Sequence, residues 1–128
     1  MAVKYNVIEK KLPGQHNNGK VQYFAVAKSD GRVGLSEMTE YVESISTVSG
    51  ADIRAVLYAV EEFIVKSLSD SKIVELGELG NFMIRINSQG KDNSEEVNNK
   101  CIIKSKAVFV PGKRFHKSLS NVKYLKNE

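Results

Sequence analysis

The spacing of apolar residues along the chain changes period several times, and each change marks an element. Residues 3–12 and 21–28 are rich in Val, Tyr, Ile and Phe and predict two strands. The segment Pro13-Gly14-Gln15-His16-Asn17-Asn18-Gly19 between them is dense in turn formers, which predicts a β-hairpin. Ser29-Asp30-Gly31-Arg32 breaks the pattern, and from Leu35 the period lengthens from two to about 3.6. Leu35, Met38, Val42 and Ile45 then share one helical face, with Glu37, Glu40 and Glu43 off it. A second helix follows: Ser49 stands three residues before Asp52 as a capping pair. Ile53, Val56, Leu57, Val60, Ile64 and Leu68 carry its apolar stripe to about Ser69. The two form a helical hairpin.

After Asp70 the period returns to two. Lys72–Leu76 and Asn81–Asn87 predict strands joined through Gly77-Glu78-Leu79-Gly80, where glycine permits a tight connection. Residues 87–99 are almost wholly polar and predict a solvent-exposed excursion before a third strand, Lys100–Val110. Pro111 and Gly112 end that strand, and Lys113–Leu119 predict a short last helix. There is no internal repeat and no low-complexity tract.

Charge sharpens this picture because it is segregated. Residues 1–32 hold six basic and two acidic side chains, residues 33–86 four and nine, and residues 87–128 nine and four. Basic charge concentrated at both ends suits a polyanionic partner. Cys101 is the single cysteine, and His16 and His116 have no ligand-spaced companions, so no metal site or other cofactor is expected. No nucleophile is joined to a base and an orienting group, so the chain is expected not to be an enzyme and to have no small-molecule substrate. No apolar run reaches the roughly 18–20 residues of a membrane span, and the start of the chain lacks the apolar core of a signal peptide. The expected place is the cytoplasm, with no membrane partner.

Two motifs carry a family resemblance. Leu76-Gly77-Glu78-Leu79-Gly80-Asn81-Phe82 looks like the glycine-flanked turn before a core phenylalanine in the HU/IHF family of bacterial DNA-bending proteins. Ala107-Val108-Phe109-Val110-Pro111-Gly112-Lys113 resembles that family's closing strand and Pro-Gly-Lys junction. The resemblance covers about residues 33–121. Residues 1–32 lie outside the common core and look like the extension of the longer HU-like proteins of Bacteroidetes, and residues 122–128 are left as a C-terminal tail. The implied class is α+β: a helical hairpin, a three-stranded antiparallel sheet with a β-arm and a short C-terminal helix, preceded by the N-terminal β-hairpin. The implied function is that of a low-specificity, histone-like protein of the bacterial nucleoid, a homodimer that binds and bends double-stranded DNA. The family's arm-tip proline, which wedges between base pairs, has no counterpart here. No proline occurs between Phe82 and Pro111, and residues 87–99 carry Lys91 against Asp92, Glu95 and Glu96.

Strand parity nominates the DNA-contacting residues. With Phe109, Ala107, Ile103 and Cys101 on the core face, Lys100, Ile102, Lys104 and Lys106 fall on the other. With Phe82, Ile84 and Ile86 in the core, Met83, Arg85 and Asn87 lie opposite, so Arg85 joins the lysines. Lys113, Arg114 and Lys117 extend the positive charge, Lys113 standing at the family's Pro-Gly-Lys position. Cys101 reads as a small core filler, His116 as a surface or helix-end residue and His16 as a loop residue. The competing reading is an HU-like protein-interaction or structural module with weak or no DNA binding, favoured by the acidic excursion and by hairpin strands that could pair with another sheet edge. RNA binding would need stacking aromatics that the basic strands do not display.

Overall fold

A computed structural model describes residues 1–11 and 20–128. The Pro13–Gly19 turn and the loop position of His16 lie outside the described residues. Strands β1 (Ala2–Lys11) and β2 (Val21–Ala27) come first, then helices α1 (Leu35–Ile45) and α2 (Gly50–Ser69). Strands β3 (Val74–Glu75), β4 (Gly80–Ser88) and β5 (Ile102–Pro111), helix α3 (Lys113–Leu119) and strand β6 (Lys123–Lys126) follow. The fold is α+β, with the helical hairpin, three-stranded antiparallel sheet and short C-terminal helix expected from the sequence.

Local chemistry sets the helix starts. Ser49 Oγ accepts a bond from the Asp52 amide at 3.2 Å, so the expected cap of α2 is in place. At α1 the Gly34 amide donates to Glu37 Oε2 at 2.8 Å. Together with the Glu37 backbone N–H, the larger influence, this holds the Glu37 carboxyl below the usual carboxylate range. Helix α2 packs on α1 and against β3 and β4.

Among the described residues the strands form two three-stranded sheets. The antiparallel sheet β3-β4-β5 carries the arm. The other, ordered β2-β1-β6, pairs β1 antiparallel with β2 and parallel with β6. Strand β6 lies in the segment whose sequence pattern predicts no element. It aligns Ala2 with Lys123 and Tyr5 with Lys126, and Asn127 secures its end by donating to the Tyr5 carbonyl at 2.9 Å and to Asn6 Oδ1 at 3.0 Å.

The interior of one chain is thin. Among the described residues only Ile53, Leu68, Val74, Cys101, Thr39 and Gly80 are buried. Val56 is 60% exposed although it belongs to the apolar stripe of α2. The chain exposes 11332 Å², whereas a globular monomer of this length exposes roughly 6,800 Å². Met38, Val42, Val48, Ile53, Val56 and Leu57 line an open apolar groove of about 370 Å³ between α1 and α2.

Candidate nucleic-acid interface

The site is organised by the β4–β5 ladder. Phe82 lies opposite Phe109 and Ile84 opposite Ala107, while on the other face Met83 lies opposite Val108, Arg85 opposite Lys106 and Asn87 opposite Lys104. The aromatic face is fixed by Phe109, whose ring centroid is 5.2 Å from that of Phe82 and 6.0 Å from that of Phe115, the latter edge-on. Alternation then sends Arg85, Lys104 and Lys106 to the opposite surface, where all three are exposed. Two cations directly opposite each other destabilise a strand pair by roughly 0.2–1 kcal/mol. None of the three is in an ion pair among the described residues, where the ion pairs are Lys4 with Asp30, at 3.0 Å, and Arg114 with Glu78.

Parity counting fails at the arm's far end. The register shifts between Asn87 and Ser88, so that Asn87 faces Lys104 but Ser88 faces Ile102, and Ile103 is the extra residue of a β-bulge. Ile102 therefore moves to the aromatic face, away from the lysines it was expected to join. Lys100 does not extend the ladder at all. It sits in a 3-10 turn, Asn99–Cys101, with its amide bonded to Asn98 Oδ1 at 2.9 Å. Cys101 is buried, but within this turn instead of on a strand face, with its thiol 3.6 Å from the Glu96 carbonyl. A second 3-10 turn, Ser94–Glu96, gives the expected polar excursion a defined path.

At the near end the two glycine motifs meet. Gly112 donates to the Leu79 carbonyl at 3.0 Å, and a Cβ on Gly112 would overlap the Glu78 carbonyl. Gly80, at φ +142°, lies where a Cβ would strike the Val110 carbonyl. Only residues without side chains permit this backbone contact, which sets the start of α3 beside the ladder. Lys113 and Lys117 are one turn apart on α3 and exposed. Arg114 is turned to Glu78, 36 residues away in sequence, a pairing that local pattern does not reveal.

The HU-HIG family, described as "HU domain fused to wHTH, Ig, or Glycine-rich motif", is the one whose model matches, over residues 1–126. The chain belongs to this family. The HU-HIG match takes in the N-terminal strands and β6 as well as the HU-like part. No curated protein matches the sequence. Among solved structures, a putative bacterial DNA-binding protein from Bacteroides vulgatus superposes with a TM-score of 0.69 at 9% identity over 98% of this chain. This chain spans 47% of that protein's, about half its length. The HU of an Anabaena HU–DNA cocrystal structure superposes with a TM-score of 0.52 at 23% identity, over 70% of this chain and 99% of the other. At such identities these two likenesses concern the fold. No helix among the described residues is long and apolar enough to cross a membrane.

Proposed function

We propose that this HU-HIG chain is a low-specificity architectural protein of the bacterial nucleoid that binds duplex DNA as a homodimer through the Arg85, Lys104 and Lys106 face. The observation that carries the reading is the direct opposition of Arg85 and Lys106, beside Asn87 and Lys104, none of these cations being in an ion pair among the described residues; the carboxylate on that face, Glu75, lies opposite Asn81, four residues along β4 from Arg85. A destabilising cluster of cations is accounted for by a polyanion laid across it. Same-face positions along a strand are ~6.8 Å apart, about two base-pair rises of ~3.4 Å, so the cations can track a phosphate backbone. Lysine supplies a point charge suited to sequence-independent contact. Lys113 and Lys117 add exposed cations from α3, which Phe115 anchors on the aromatic face of the ladder, Lys100 adds a cation at the arm tip, and Arg114 reaches phosphate only by leaving Glu78.

The homodimer reading rests on the open apolar groove between α1 and α2 and on the excess exposed area of one chain. A second copy would supply the missing cover. Bending in this reading proceeds without the family's proline wedge, since the tip holds no proline and carries Asp92, Glu95 and Glu96 beside the exposed Val97. The acidic tip also supports the second reading, an interaction module without DNA. Affinity for a linear duplex at two salt concentrations separates them. Steeply salt-dependent binding supports the DNA reading, and absence of salt-sensitive binding supports the module.

A further inference from the structure

The two basic ends of the sequence meet in the sheet β2-β1-β6. Strand β6 runs parallel to β1 from the other end of the chain, so positive charge that is far apart in sequence is gathered on one sheet. Register then sorts that charge by face. Lys4 and Lys10 lie on the side of β1 that also holds Asn6 and Ile8, and pairing puts Lys123, opposite Ala2, and Gln22, opposite Lys10, on that same side. Lys28 continues the register one residue past β2: its amide donates to the Lys4 carbonyl at 2.8 Å, so the two lysines stand opposite each other. Lys10 Nζ lies over the Phe24 ring, 5.9 Å from its centroid, which places both on this face with the cation outermost. Glu9, the acidic residue of the three strands, falls on the other face with Lys11 and Lys126.

The cations of this face outnumber the carboxylate that pairs with them. Asp30, in the segment after β2, bonds Lys4 at 3.0 Å and relieves its opposition to Lys28. Lys10, Lys28 and Lys123 are exposed, and none of them is in an ion pair among the described residues. Lys20, two residues before Gln22, is exposed as well.

We infer that this face is a second contact for duplex DNA, held through its phosphates by Lys10, Lys28 and Lys123; this rests on the reading of duplex DNA as the chain's partner, but not on the arm as its site. Lys4 and Lys10 stand six residues apart on one strand, roughly 20 Å, which is about six base-pair rises of ~3.4 Å. Lys28 and Lys123 widen the Lys4 end across the neighbouring strands. Asn6 and Gln22 supply neutral donors of the kind that bond phosphate oxygens. Charge repeated over such a length is what a nucleic-acid backbone presents. Helix α1 of a second copy offers Glu37, Glu40 and Glu43 within only ~9 Å along its axis. A lipid surface is matched by apolar side chains standing outermost, whereas Phe24 lies beneath Lys10 and Ile8 is half-buried. On the opposite face Glu9 lies two residues from Lys11 and offsets it.

Fluorescence anisotropy with a labelled duplex across a salt series tests this on the full chain. Lys10→Gln, Lys28→Gln and Lys123→Gln together are expected to lower the slope of log affinity against log salt by about 2.7 for each copy engaged, at about 0.9 per phosphate contact. Arginine at the same three positions is expected to keep the parent's slope. Lys11→Gln with Lys126→Gln takes cations from the other face of the same sheet and is expected to leave the slope close to the parent's. In the unaltered chain, duplex should protect Lys10, Lys28 and Lys123 from acetylation while Lys11 and Lys126 stay reactive. A loss of slope per cation no greater in the triple variant than in the Lys11 and Lys126 pair overturns the inference, and so does acetylation that duplex does not slow. A triple variant that keeps the parent's slope but loses salt-sensitive self-association, or binding to phosphatidylserine vesicles, overturns it in favour of a second copy or a membrane. Slope lost in Lys104→Gln with Lys106→Gln but not in the triple variant removes this inference alone. The reverse result removes the arm as the site and leaves this face, and a parent without salt-sensitive duplex binding removes both.

Discussion

Replacing Lys104 and Lys106 together by glutamine removes two cations from the solvent face of β5 and four from a dimer. Each phosphate contact contributes about 0.9 to the slope of log affinity against log salt, so full engagement of all four lowers the slope by roughly 3.6. At 0.1 M salt relative to 1 M the same four contacts amount to at most about 3.6 decades of affinity. The loss should be alike for duplexes of different sequence, because phosphate contacts carry no sequence information. Stability should move the other way. The Arg85–Lys106 opposition is relieved, so the variant should be as stable as the parent or more stable by up to ~1 kcal/mol. Fluorescence anisotropy with a labelled duplex across a salt series gives the slope, and urea unfolding gives the stability. An unchanged slope would refute the assignment of this face to DNA. A variant destabilised by well over ~1 kcal/mol would show instead that the lysines are structural.

Phe109→Ala removes the ring between Phe82 and Phe115 and should cost about 3–5 kcal/mol where the site is fully covered; because Phe109 is 37% exposed in one chain, the loss in urea midpoint should be larger at protein concentrations that favour the dimer. Gly112→Ala forces a Cβ against the Glu78 carbonyl and should cost about 1–3 kcal/mol, whereas Gly90→Ala, with open space around it, should stay within about 0.5 kcal/mol of the parent. Glu37 has a depressed carboxyl pKa, so its contribution is present above the unfolded value of about 4.5 and lost as pH falls through the lower folded value. The difference in Tm between parent and Glu37→Gln should therefore shrink on acidification through that range, and a difference that grows would contradict the sign.

Periodicity and caps are local properties, and what depends on them was legible in the sequence. The switch at Leu35, the Ser49 cap, the alternation of Phe82, Ile84 and Ile86 against Arg85, and the Pro-Gly-Lys start of α3 each need only a few neighbouring residues. Together they specified an α+β chain of HU-like order and grouped Arg85 with Lys104 and Lys106. The tertiary structure decided what depends on partners distant in sequence. Strand β6 consists of Lys-Tyr-Leu-Lys, too short for its pattern to be told from coil, and it exists because it meets β1 from the other end of the chain. The bulge at Ile103 is a mismatch of length between β4 and β5. Such a mismatch is invisible in either strand alone, and it moves Ile102 to the other face while Lys100 falls into the turn before the strand. The pairing of Arg114 with Glu78 and the contact of Gly112 with the Leu79 carbonyl likewise follow from backbones brought together by the fold. A side-chain period of two fixes which residues share a face within one strand, but only the hydrogen-bonded register between strands fixes what lies opposite, and the register is set by every contact along the ladder at once.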